Sequence, residues 1–324
     1  MQGAILEVPQ PADQDVLATD MLDRRSRTWR VLRADRFFWL GAGIVVLMVG
    51  LAILAPVLAP HDPLHQFRED GFAATGDPLG PTAKFPLGTD RTGRDYLSRL
   101  LFGARTSLGI ALVATLISTV TGVAVGAVAA FWPVARLRVP GTRRRIPVPV
   151  ESILMRLTDL ALSFPVLLLA IALAAVLKPS VPLIVVIIAS VSWAGVARII
   201  YGRVLVLREA TFIEAARAQG ISRARILRVQ VLPHLAPLAV VYAALGVASA
   251  VLFEATLSYL GAGVPAPTPA WGGMIADHIS WYATDPRLVL VPGLAIMLTV
   301  VGFTLLGDSL RDAMDPRTES RIAR

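Results

Sequence analysis

Apolar residues fall into six long runs separated by polar, turn-rich or arginine-rich connections. Each run approaches roughly 20 residues, the length at which a helix crosses the hydrocarbon core of a bilayer. The pattern predicts helical spans at about 37–59, 105–131, 153–177, 182–206, 235–258 and 288–307. Pro165 lies inside the third and predicts a kink there. The connection 60–104 is punctuated by Pro78, Gly80, Pro81, Pro86 and Gly88. From Arg91 onward Tyr96, Leu97, Leu100 and Leu101 fall at helical spacing, which predicts an amphipathic helix on the outer interface. The 259–287 connection is also turn-rich, and its Trp271 and Trp281 suit an interfacial aromatic belt. The expected fold class is an all-α polytopic membrane protein with six transmembrane helices.

Composition agrees with this pattern. Of 324 residues 55% are hydrophobic, and the mean hydropathy is +0.64. No cysteine is present, which excludes disulfide and thiol chemistry. His61, His65, His234 and His278 are scattered without metal-ligand spacing, so no metal site is expected. The net charge of +8 comes almost entirely from arginine. These arginines cluster beside the spans, where positive charge sets orientation, so the excess does not point to nucleic acid. The N-terminal tail, the 132–152 and 207–234 connections and the C-terminal tail carry most of them. That side is expected to be cytoplasmic, with both termini on it. The first apolar run is too long for a signal-peptide core and reads as a retained anchor.

Few residues offer chemistry. No Gly-x4-Gly-Lys-Ser/Thr loop exists to cradle phosphates, and no nucleophile–base pair or carboxylate dyad is evident. The chain is therefore not expected to be an enzyme. Charges at membrane depth are functional candidates by default. Asp159 in the third span and Arg198 in the fourth lie at similar depths, and we expect them to pair across antiparallel helices; the alternative is that each faces water in a vestibule. Glu254 near the outer end of the fifth span is a weaker candidate partner for Arg105. Gly122 and Gly126 form a Gly-x3-Gly, and small residues line the fifth span, a pattern that lets helices approach closely.

The segment between the fourth and fifth spans is the most informative. Residues 209–218 read as a short helix that Gly220 can end in the left-handed conformation. Ser222 can cap a second helix running to about 230, and Pro233 falls in the first turn of the fifth span or just before it. The expectation is a helix–turn–helix projecting into the cytoplasm. Ala215, Ala216 and Ala218 keep it slim enough to enter a groove on a partner. The alternative is a surface connection with no partner.

The order Glu214-Ala-Ala, then Gly220, then Leu232-Pro233 resembles the signature loop of inner-membrane permease subunits of ABC importers. Three further stretches resemble the C-type permease of the dipeptide/oligopeptide/nickel group: 87–95 leading to 103–107, 254–261 leading to 267–272, and 306–316. The run 58–63 is similar as well. The 135–150 loop, rich in arginine and proline, looks longer than is usual there. The resemblance implies a type I ABC importer-like permease fold. It divides the chain into a tail (1–35), a first helix with its outer loop (36–104), a permease core (105–311) with a coupling loop at 209–233, and a C-terminal tail (312–324). It implies a homologous B-type permease subunit, two ABC ATPase subunits carrying ATP and Mg, an extracytoplasmic solute-binding protein, and peptide cargo. Glu214, Ala215, Ala216, Arg217, Gly220, Arg223, Leu232 and Pro233 are then the expected coupling residues. Asp90, Arg94, Asp95 and Trp271 are candidates for receiving the binding protein. Nickel-chelate cargo, or a self-contained carrier or channel, are the competing readings.

Overall fold

The computed structural model describes residues 29–138 and 145–314. A helical turn at 29–34 leads into α1 (Arg36–Leu58), whose first turn is capped by Asp35 accepting from the Phe37 N–H at 2.8 Å. The outer loop leads into α2 (Tyr96–Phe131), 36 residues in one helix. At 1.5 Å per residue its length is about 54 Å, well beyond a bilayer core. The separate interfacial helix expected at Tyr96 is therefore not formed. Asp95 caps α2 directly, and Tyr96 is fully buried, its hydroxyl donating to the Leu288 carbonyl. Gly103 does not break the helix. It serves instead as a contact surface, since an added Cβ would lie 3.1 Å from the Trp271 ring.

Strands β1 (Ala135–Arg138) and β2 (Arg145–Val148) pair antiparallel, with Ala135 opposite Val148. The third span is not a kinked helix but two helices, α3 (Val150–Ser163) and α4 (Val166–Val176), bent by 83°. Pro165 explains the break: its ring disfavours helical backbone in the preceding residue, and Phe164 is extended at φ −78°, ψ 137°. Then follow α5 (Val181–Arg208), α6 (Thr211–Ala218), α7 (Arg223–Ile226), a wide π-type turn (Leu227–Val231) and α8 (Leu232–Tyr259). Helix α9 (Trp271–His278) lies in the second outer loop, and α10 (Arg287–Met314) closes the fold. Among the described residues five helices are long and apolar enough to cross a membrane, and the bent α3–α4 pair brings the number to six if it is counted as one broken span.

Helix α2 is the hub. It packs on α5, α8 and α1, and α10 fills the space between α8 and α1. Its contact with α5 depends on missing side chains. A Cβ at Gly122 would sit 2.6 Å from Val196 Cβ, and one at Gly126 would sit 2.4 Å from the Ala197 carbonyl oxygen. Among the described residues the core falls into three clusters: one around Tyr96, Leu108, Trp271 and Leu288, one around Phe131, Ile200, Ile213 and Leu235 that anchors the α6 segment, and a small one of Ala170, Ala174, Ile187, Leu257 and Ala262 that seats α4 on α5 and α8.

Candidate functional site

Helix α6 presents two faces. Ile213 and Ala216 are buried against Phe131, Val204 and Leu235, while Glu214, Ala215 and Arg217 face outward. The helix ends in a paired-hydrogen-bond stop. The Ile221 N–H donates to the Ala216 carbonyl at 3.1 Å and the Gly220 N–H to the Arg217 carbonyl at 2.9 Å. Gly220 adopts φ +75° to make that turn, in open space. Ile221 then folds back onto the same apolar cluster as Ile213.

One local expectation needs correction. Ser222 stands at the start of α7, but its side chain makes no capping bond. Pro233 sits in the first turn of α8, as expected, although residues 223–259 also run on as one continuous helical path. The wide turn accommodates the proline. The Leu232 N–H reaches back to the Leu227 carbonyl, five residues away, which opens the backbone where a regular turn would meet the Pro233 ring. Leu232 is half-buried against the cluster around Phe131, Ile200 and Ile213. Beside it, the His234 ring stacks on Phe212 with centroids 5.3 Å apart, tying α8 to α6. Sequence reading missed this pair because stacking across 22 positions leaves no periodic signal.

A recess of about 290 Å³ opens beside α6, lined by Phe131, Pro133, Arg208, Glu209, Arg217 and Arg223. Arg208 is held by the Ala130 carbonyl at 3.1 Å and by Glu209 at 3.0 Å. Arg217 and Arg223 are exposed and form no ion pair with any described residue. The surface around α6 is therefore positive, with Glu209 and Glu214 its exposed acids.

Within the spans, Arg198 Nη2 lies 2.9 Å from Asp159 Oδ1, joining α5 to α3. Both side chains are more than half exposed, at 58% and 52%. Glu254 and Arg105 are not brought together. Glu254 is fully buried in α8 and accepts from the Ser258 hydroxyl at 2.7 Å, whereas Arg105 points outward from α2. The two side chains leave different helices in different directions.

The outer candidates are also placed differently from expectation. Asp90 and Asp95 are fully buried, Arg94 is 8% exposed and Trp271 1%. None can serve as a contact surface; together they build the scaffold of the outer loops. Asp90 Oδ1 accepts from the Arg94 N–H at 3.0 Å and from Thr92, and Arg94 Nε donates to Asp90 Oδ2 at 2.7 Å. Arg99 approaches the same carboxylate to 3.3 Å. Burial alone would raise the Asp90 pKa. The hydrogen bonds from Arg94 and Thr92 and the charges of Arg94 and Arg99 outweigh it and hold the carboxyl below its ordinary value. Trp271 donates its backbone N–H to Ser107 Oγ and its indole N–H to the Leu100 carbonyl, fastening α9 to α2. His278 is buried behind it. Its Nδ1 meets the Met274 carbonyl at 2.7 Å and its Nε2 the Arg91 N–H at 3.5 Å, a pairing that requires the neutral ring. Burial pushes its pKa down, against the opposing pull of Met274, Asp90 and Asp277. No group of three or more potential metal ligands occurs among the described residues.

A hub of close-packed apolar helices, a bent helix pair and a short polar helix seated on one end define a polytopic helical membrane protein. The chain belongs to the family described as binding-protein-dependent transport system inner membrane component, which matches residues 122–320. Residues 24–74 match the N-terminal TM domain of oligopeptide transport permease C. The chain is 39% identical over 281 residues to the di/tripeptide transport system permease protein DppC of Pseudomonas aeruginosa, covering 86% of this chain and 88% of that protein. It is 34% identical over 318 residues to the dipeptide transport system permease protein DppC of Alkalihalophilus pseudofirmus, covering 96% and 95%. It is 35% identical over 289 residues to the glutathione transport system permease protein GsiD of Escherichia coli O6:K15:H31, covering 89% of each. Among solved structures, a chain of the MetNI methionine ABC transporter in inward-facing conformations matches with a TM-score of 0.52 at 19% identity. That match covers 67% of this chain and 97% of that one, and it supports the type I importer permease fold. Family membership makes this chain a multi-pass inner-membrane permease subunit, non-catalytic, in a transporter that depends on a binding protein and a separate ATPase.

Proposed function

We propose that this chain is the C-type permease subunit of an ATP-driven importer of di- and oligopeptides, and that α6 is its joint to an ATPase. The observation that carries this reading is the two-faced α6. Its inner face is locked to the span cluster through Ile213 and Ala216, so force on the outer face at Glu214, Ala215 and Arg217 is delivered to α2, α5 and α8. Relatives named for di/tripeptide, dipeptide and glutathione transport support a short-peptide cargo. A homologous B-type permease completes the path, two ATPases hold ATP and Mg below it, and a binding protein delivers cargo outside. The arginine-rich connections favour cytoplasmic placement of both termini and of α6. A strain lacking only this chain should lose uptake of labelled dipeptides and regain it on complementation, and the purified chain should bring an ATPase with it. Normal dipeptide uptake in the deletion strain would remove the cargo assignment; purification without any ATPase would remove the coupling role.

A further inference from the structure

The most anomalous polar feature in the spans is the Asp159–Arg198 pair. Its two charges join neighbouring helices, yet this chain leaves more than half of each side chain uncovered. Charges at this depth do not face lipid; they face protein or a water-filled path. The same face carries a second anomaly. One helical turn beyond Asp159, at Ser163, α3 stops, and Phe164 and Pro165 are exposed and non-helical before α4 departs at 83°. Hydrocarbon cannot satisfy backbone freed in this way, so broken helices within spans line cavities or protein. A third feature leaves room there. Gly195, one turn before Arg198 on α5, has open space where a side chain would be.

We infer that Asp159 and Arg198 form a contact point on the translocation path for the charged ends of a short peptide. Asp159 receives the α-ammonium and Arg198 the α-carboxylate. This rests on the peptide-import reading above. An ion pair this exposed is weak, so it opens at little cost when a zwitterion offers each charge a new partner. The planar guanidinium suits a carboxylate in two-point contact. The uncovered face of α3 and α5 is thus the side this subunit turns to the path rather than to lipid.

The chain is naturally free of cysteine, which gives a clean probe. In the intact, nucleotide-free complex in nanodiscs, Ser163→Cys should react with a charged, water-soluble thiol reagent, read by mass on this chain. Saturating free dipeptide should slow that reaction about fivefold, and the C-terminally amidated dipeptide should protect less. In uptake assays Arg198→Gln should raise the KM for free dipeptide about tenfold while binding-protein-stimulated ATP hydrolysis persists. An unreactive cysteine, or one that dipeptide never protects, overturns the proposal. So does full recovery of uptake by the exchanged pair Asp159→Arg with Arg198→Asp, because a brace alone would then suffice. If the wild-type complex imports no peptide, the cargo reading falls and takes this proposal with it. If it does import peptide and the variants behave as wild type, only this proposal falls.

Discussion

Single atoms decide how close α2 comes to α5. A methyl group at Gly126 would stand 2.4 Å from the Ala197 carbonyl oxygen, which belongs to backbone and cannot turn away. Gly126→Ala should therefore push the helices apart and cost about 1–3 kcal/mol. The readout is a lower thermal midpoint of the purified complex. Gly109 on the same helix has nothing within 4 Å, so Gly109→Ala should leave the midpoint unchanged or slightly raised. Equal loss in both variants would show that the α2–α5 approach is not the cause. His278 supports a pH prediction. Its folded pKa lies below the ordinary 6.5, so the unfolded chain binds the proton first. The contribution of the neutral ring is complete above pH 6.5 and declines as pH falls below it. Asp90 adds a second loss at lower pH. Its folded pKa is depressed below 3.8, so its stabilisation is present above that value and fades as acid protonates it. Proteolysis of the outer loops should accelerate below pH 6.5, and His278→Gln should flatten that first step. A profile unchanged by the substitution would show that another group controls it.

Elements differ in how far the chain announces them. The long spans were legible because about 20 apolar residues in a row admit one solution in lipid. The stop at Gly220 was legible because a left-handed helix end needs a residue without a Cβ. What escaped the sequence depended on partners far along the chain. The burial of Tyr96 follows from Leu288 and His278, and the burial of Asp90 from Arg94 and Arg99. A charged loop therefore read as surface when it is scaffold. The continuity of α7 into α8 was hidden for another reason: the wide turn that joins them has no composition of its own. Helix α6 carries the next prediction. Gly220→Pro cannot adopt φ +75° and removes the N–H that bonds to Arg217, so the stop is lost. Ala216→Leu forces bulk into a position that is 3% exposed. Both variants should reach the membrane and retain ATP hydrolysis while uptake falls at least about tenfold, as expected for coupling transmitted through one rigid contact. Uptake and hydrolysis falling in parallel would instead indicate loss of assembly.

The chain as a whole is an incomplete membrane protein. Helices α2, α5, α8 and α10 bury about two-fifths of their most apolar windows within it, between 39% and 44%, and α1 buries 17%. Past Arg36 the uncovered area on α1 is apolar and suits lipid. That on α3 and α4 does not, because it includes Asp159, Ser163 and the open backbone at Phe164, with Arg198 of α5 beside them. A face of this kind is stable only against another subunit or a closed path. The α3–α4 pair is also the span least tied to the rest, with buried residues limited to Thr158, Ala170 and Ala174. When the chain is produced without the other subunits, this pair should loosen first. Limited proteolysis of the solitary chain in detergent should therefore cut near 163–166 and at the 177–180 turn, while α2, α5 and α8 stay intact. Assembly with its partners should protect those sites. Equal cleavage rates with and without the partners would mean that α3–α4 is held by this chain alone, and the uncovered polar face would then need a covering from lipid that the physics of desolvation does not provide.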